Sequence, residues 1–188
     1  MALLHHASLT PSKSELLAAW LPSQPWADGL TGLKPFGSYR LDDPDGEVGL
    51  EGILLRSDDG VVLHVPLSYR SAPLQGAEAA LVGTTEHSAL GTRWVYDATA
   101  DPVWRHTLAA TVLTGGVGAE EYFEVDGERE TREPSVAVAG TGAVGTEVPA
   151  DLETVVVRRV GEELDVDAVL TGAWDEGSGV LAGVRNGA

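Results

Sequence analysis

The chain has 188 residues, 43% hydrophobic and 22% charged, a balance that fits one substantial core or two small ones and excludes a disordered chain. Its 29 acidic residues against 12 basic ones leave a formal net charge of −17, which repels nucleic acid and anionic membranes and argues against both as partners. No cysteine is present, so disulfides, thiolate nucleophiles and sulfur-held metals are excluded.

The opening MALLHHASLTP lacks the basic lead and long apolar run of a signal peptide. No stretch approaches the roughly 20 apolar residues that span a bilayer, so a cytoplasmic protein is expected. Thr10 and Ser12 are N-cap candidates, Pro11 suits an early helical position, and Glu15 completes a capping box with Ser12. Leu16, Leu17, Trp20 and Leu21 share one face of this helix, and Pro22 and Pro25 stop it. Phe36 to Leu41 reads as a strand ending in the acidic turn Asp42-Asp43-Pro44-Asp45-Gly46. Val48 to Arg56 and Val61 to Tyr69 flank Asp59-Gly60, a hairpin signal. In the second strand Val61, Leu63, Val65 and Leu67 alternate with Val62, His64, Pro66 and Ser68, the pattern of a sheet covered on one side. Pro66 points to an edge strand or a bulge.

Pro73 to Gly83 reads as either strand or helical turn, Thr92 to Tyr96 as a strand, and Asp101 to Leu113 as a helix with Asp101 at its N-cap and Pro102 after it. Gly115-Gly116 ends that helix. Beyond it lies the acidic run Glu120 to Glu133, then candidate strands at Val136 to Ala139, Thr154 to Val160, Leu164 to Leu170 and Val180 to Arg185. The expected fold is α+β, a curved antiparallel sheet packed on an N-terminal helix and followed by a β-rich C-terminal half. The division falls at residues 1–114 and 115–188, the second part either a sheet of its own or a continuation of the first.

Several motifs invite chemistry. Gly140-Thr141-Gly142-Ala143-Val144-Gly145 matches GxGxxG, but Pro149 and the run Thr154 to Val157 stand where a dinucleotide fold needs a helix. A Gly-rich connection is the better reading. Asp42, Asp43, Asp45 and Glu47 offer oxygen ligands without the spacing of a calcium loop, so a polar turn explains them. Glu86, His87 and Ser88 invite a nucleophile–base reading, but adjacent strand positions point apart and no nucleophile elbow surrounds Ser88, so a turn whose side chains bond backbone is the better reading. His5, His6, His64 and His106 lack zinc spacing, apart from the adjacent terminal pair. Tryptophan beside Tyr, Arg and Asp is also how proteins hold sugars. Tyr69, Arg70, Arg93, Trp94, Tyr96 and Asp97 would form such a surface if their strands are neighbours, whereas Trp20, Trp94 and Trp104 read more simply as core. Trp26 and Tyr69, each beside a turn, are the aromatic residues most open to a ligand.

The strings VPLSYR (Val65 to Arg70), ALVGTTEHSALGTRWVYD (Ala80 to Asp97) and Asp101-Pro102, with AAWLPSQPW (Ala18 to Trp26) upstream, resemble the N-terminal cap of bacterial maltokinases and the stand-alone proteins related to it. The resemblance spans roughly Leu16 to Leu113. It implies a cystatin-like curved sheet on a helix and an association with maltose, trehalose or glycogen metabolism. In that family the catalytic and metal-binding aspartates belong to a kinase body, and no phosphate-covering loop joined to such motifs occurs in this sequence. A non-catalytic regulatory or interaction module is therefore expected, without cofactor or metal, with a maltokinase-like or glucan-pathway enzyme as partner. The alternative is a sugar binder on the concave face of the sheet. The candidate ligand or partner surface is Trp26, Tyr69, Arg70, Glu86, His87, Arg93 and Tyr96.

Overall fold

A computed structural model describes residues 2–4, 8–125, 128–149 and 152–186; His5 and His6 lie outside them. In chain order the elements are β1 (Ala2–Leu4), β2 (Leu9–Thr10), α1 (Lys13–Trp20), β3 (Lys34–Leu41), β4 (Gly49–Arg56), β5 (Val62–Arg70), β6 (Leu81–His87), β7 (Gly91–Asp97) and α2 (Pro102–Leu113). Then come β8 (Glu121–Val125), β9 (Glu128–Arg132), β10 (Ala137–Gly140), β11 (Leu152–Val156), β12 (Ala168–Trp174) and β13 (Gly177–Asn186). The fold is α+β. A curved six-stranded antiparallel sheet runs β2-β6-β7-β5-β4-β3, a four-stranded sheet runs β10-β12-β13-β11, and β1 joins β8 and β9 in a third.

α1 starts where the capping box places it. Glu15 N donates to Ser12 Oγ at 3.3 Å, and Ser12 N donates to Glu15 Oε2 at 2.7 Å. Pro11 precedes the cap rather than opening the helix. Two 3₁₀ turns, Leu21–Ser23 and Pro25–Ala27, carry the chain away. Leu16, Leu17, Trp20 and Leu21 pack on Ile53, Leu55, Leu63, Val65, Leu67 and Val95, one face of the large sheet.

The other face is also covered, so the expectation of a sheet covered on one side needs correcting. Tyr39, Leu41, Leu50 and Leu54 meet Trp104, Leu108 and Val112 of α2, together with Val136, Val138, Leu170, Leu181 and Val184 from the C-terminal half. One core thus draws on residues from both sides of position 115. The polar positions of β5 on this face are buried: His64 and Ser68 are each 0% exposed. His64 solves its burial with two partners. Its Nδ1 lies 3.0 Å from the Leu181 carbonyl, which can only accept, so Nδ1 carries the hydrogen and Nε2 accepts from the Tyr39 hydroxyl at 3.0 Å. Gly52 makes room for this bridge, since a Cβ there would sit 2.2 Å from the Tyr39 ring.

The pairing of β5 explains Pro66. Along one edge β5 pairs β4 throughout. Along the other, His64 N donates to the Arg158 carbonyl and Val160 N to the Val62 carbonyl, both at 2.9 Å, while β7 pairs only from Leu67 onward. The nitrogen of Pro66 points to this same edge, two residues beyond His64, in the gap between the two partners. The strand is central, and proline is tolerated because no acceptor stands opposite.

Other elements depart from expectation in informative ways. The stretch left open at Pro73 to Gly83 is a 3₁₀ turn, Glu78–Ala80, leading into β6. The acidic run holds the hairpin of β8 and β9. The strand expected at Leu164 to Leu170 begins at Ala168 and runs on to Trp174. The GxGxxG segment closes the end of α2. Gly142 N and Ala143 N donate to the Val112 and Leu113 carbonyls at 2.9 Å each, and a Cβ on Gly142 would lie 1.9 Å from the Leu113 oxygen. These glycines admit a loop against the carbonyl end of a helix, the polarity opposite to that of a phosphate site.

Two outcomes test this account. Gly52→Ala should cost at least ~1–3 kcal/mol in urea unfolding, because the bridged Tyr39 ring has nowhere to go. Burial, then the nearby Arg158 charge, lowers the His64 pKa from 6.5 to about 3. A depressed histidine contributes stability that is complete above its unfolded pKa and lost as pH falls toward the folded value. Between pH 6.5 and 3 it should drain stability by up to ~1.4 kcal/mol per pH unit, and His64→Gln should flatten that slope in a melting series.

Candidate functional site

β5 and β7 are neighbours, as the surface read from the sequence requires, but strand parity divides its residues. Tyr69 pairs with Val95 and Arg70 with Trp94. Tyr69, Arg93 and His87 therefore face α1, and Arg70, Tyr96 and Glu86 face the opposite way. The seven residues do not form one surface.

Most of their polar groups are already in use. Arg70 makes a two-pronged ion pair with Asp101, Nε to Oδ2 and Nη2 to Oδ1, both 2.7 Å. Burial alone would push the Asp101 carboxyl up, but Arg70 and the Val103 amide that it caps hold it below the usual range. The Tyr96 hydroxyl accepts from Leu74 N at 2.9 Å. His87 Nδ1 accepts from Ala89 N and Leu90 N at 3.2 and 3.1 Å, which makes it a turn brace. Glu86 Oε1 accepts from the Thr92 hydroxyl at 2.7 Å. The closest acceptor of Arg93 is the carbonyl of its own neighbour Thr92, at 3.5 Å. Trp26 packs edge-on against Trp20, with ring centroids 5.6 Å apart, and the Arg158 guanidinium lies 4.5 Å over its ring. Arg158 also donates to Asp97. Arg159 reaches the Trp26 and Asp28 carbonyls at 2.9 and 2.7 Å, so this corner ties the C-terminal half to the segment after α1.

Tyr69 belongs to a polar cluster that the sequence did not reveal, because its members come from six separate elements. Glu51, 5% exposed, receives Lys13 Nζ at 2.6 and 2.8 Å and the Tyr69 hydroxyl at 2.7 Å, with Arg40 at 3.8 Å. Burial pushes its carboxyl up, yet the Lys13 and Arg40 charges keep it below the ordinary range. Burial, then Glu51, pushes the Tyr69 phenol well up. Glu121 on β8, 3% exposed, has Arg132 at 4.0 Å, and its carboxyl is raised by burial against the pull of Arg40 and Arg132. The cluster pins α1 and β8 to the sheet. Among the described residues no group of three or more His, Cys, Asp or Glu side chains could hold a metal ion.

A second feature is an open cleft of about 460 Å³ between α1 and the segment after it. Leu17, Ala18, Leu21, Leu30, Leu33 and Leu55 form its apolar wall, and Asp28 is the charged residue on its lining. Glycines at 29 and 32 with φ of +77° and +63° let the chain double back to make the far wall. The cleft lies on the α1 side, beside Trp26.

Because the Glu121 carboxyl is raised, its proton stabilises the fold at low pH, and that contribution is lost as pH climbs through the carboxylate range. Glu121→Gln should therefore raise the melting temperature at pH 7, and its advantage should vanish at acidic pH.

Residues 20–101 match the model of the maltokinase N-terminal cap domain, so this segment of the chain is similar to that domain. The match covers β3 to β7 and stops at the N-cap of α2. No curated protein matches the chain. No helix among the described residues is long and apolar enough to cross a membrane, a statement that does not extend to β-barrels.

Proposed function

We propose that this maltokinase-cap-like chain is a non-catalytic docking module of the cytoplasm. It seats on a maltokinase-like kinase or another enzyme of maltose, trehalose or glycogen metabolism. The observation that carries the reading is the open apolar cleft beside α1, most of whose wall comes from the cap-like segment. An apolar wall without convergent polar groups suits a protein side chain better than a reacting substrate. The acidic exterior of the chain, at −17, complements a basic rim on the partner and speeds encounter. A sugar held by Tyr69, Arg93 and Tyr96 finds less support, since Tyr69 and Tyr96 spend their hydroxyls on Glu51 and Leu74 and stand on opposite faces.

Titration calorimetry with purified maltokinase-type and glucan-pathway enzymes of the same genome tests the reading. Binding to one of them is expected. Ala18→Arg, at an exposed position of α1 on the cleft wall, should weaken it at least ~tenfold, a loss of about 1.4 kcal/mol. An unchanged melting temperature would show that the fold survives. Absence of binding to every enzyme of the set, or binding indifferent to Ala18→Arg, would sink it.

A further inference from the structure

Of the five tryptophans, four have structural work. Trp20 and Trp104 lie in the two cores, Trp26 and Trp174 pack against them, and Trp94 belongs to neither. The sequence offers Trp94 both as part of a sugar-holding surface and, more simply, as core; the structure takes it out of both cores. Trp94 is half-buried, and among the described residues its ring pairs with no aromatic or cationic group and its indole N–H meets no acceptor. Leaving a large aromatic ring part-exposed on a sheet face forfeits apolar burial.

The strand register surrounds Trp94 with polar groups. Arg70, Trp94 and Thr84 stand in one cross-strand row, with Thr92 and Glu86 in the next row on the same face. Thr84 and Glu86 are exposed, and Leu81, on that face beside Tyr96, is 36% exposed. Two of these groups are held in place without being used up. Arg70 commits Nε and Nη2 to Asp101, which leaves Nη1 available. Glu86 commits Oε1 to Thr92, which leaves Oε2 available. The Thr84 hydroxyl makes no bond of its own among the described residues.

We propose that this face is a binding site for a neutral carbohydrate, with a pyranose ring stacked on Trp94 and its hydroxyls taken by Arg70, Thr84, Glu86 and the indole N–H. The apolar C–H face of a sugar matches the ring, while its rim of hydroxyls matches fixed donors and acceptors at the ring's edge. Charge selects among ligands. Asp101 neutralises Arg70, Glu86 adds a negative charge, and the whole chain carries −17, so nucleotides, sugar phosphates and acidic polysaccharides are repelled. A purely apolar peptide would bury Glu86 and Thr84 without partners. The site lies on the sheet face opposite α1 and its cleft, and it does not depend on the docking reading. A single stacked ring with a few hydrogen bonds corresponds to a dissociation constant of about 1 mM.

The test is a titration of the uniformly ¹⁵N-labelled chain, following the tryptophan indole N–H signals, with maltoheptaose, cellohexaose and xylohexaose up to about 10 mM. The Trp94 signal, assigned by its loss in Trp94→Phe, should shift saturably with at least one sugar. Trp94→Ala should abolish binding, Glu86→Gln should weaken it at least ~threefold, and Ala18→Arg in the cleft should leave it unchanged. Should Trp94→Ala fail to fold, Thr84→Arg, which puts bulk over the ring from an exposed position, should give the same loss. The proposal is overturned by a Trp94 signal that moves with none of the sugars, or by binding that persists in folded Trp94→Ala or Thr84→Arg. A signal that answers only to a sugar phosphate overturns it equally.

Discussion

The structure depends on one strand edge shared between two partners. β5 gives β7 its last residues, Leu67 to Arg70, and gives Arg158 to Val160 its first, Val62 to His64. If β7 ran the full length, the C-terminal half would have no edge to join and the face bearing Tyr39, Leu50 and Leu54 would lose part of its cover. Unpaired, the Val62 to His64 edge would leave backbone groups stranded beneath buried side chains. The short β7 and the Pro66 gap are thus one device, and the His64 bridge to Leu181 sits directly on it.

Much of the cap-like half was legible. The capping box at Ser12, the Asp59-Gly60 hairpin and the Asp101-Pro102 helix start are local signals with local causes, and each appears where its chemistry puts it. What the residues could not disclose was the second covering of the sheet. Alternation in β5 looks one-sided because His64 and Ser68 are polar, yet His64 is compatible with burial once its partners arrive from elsewhere in the chain. Those partners are distant: Leu181 lies 117 residues from His64. The β8–β9 hairpin was hidden for another reason, since its acidic composition resembles a solvated loop until Glu121 is seen folded under Arg40 and Arg132.

The candidate surface fared unevenly for reasons of geometry. Adjacent residues such as Tyr69 and Arg70 look like one patch in a sequence but must point to opposite faces of a strand. Grouping by parity across paired strands separates Tyr69, Arg93 and His87 from Arg70, Glu86 and Tyr96, and that separation needs the register of β5 on β7, which local sequence does not carry. Trp94 reads from the sequence both as ligand surface and, more simply, as core, since residue type does not separate the two. Its place on the sheet face opposite α1, in neither core, follows from the register of β7 on β5 and β6.

The interlocking of distant segments also governs when this protein can fold. The cap-like segment is complete by residue 101, yet the groups that close its strand edge and finish the cover that α2 begins on its second face are contributed by residues 136 to 184. During synthesis, the first sheet must wait for residues 136 to 184 with part of an apolar face uncovered. Pairings this far apart in sequence are slow to form, and the waiting surface is prone to capture by other chains. The interval between making residue 101 and making residue 181 is therefore the period when a nascent chain of this kind is most exposed to aggregation.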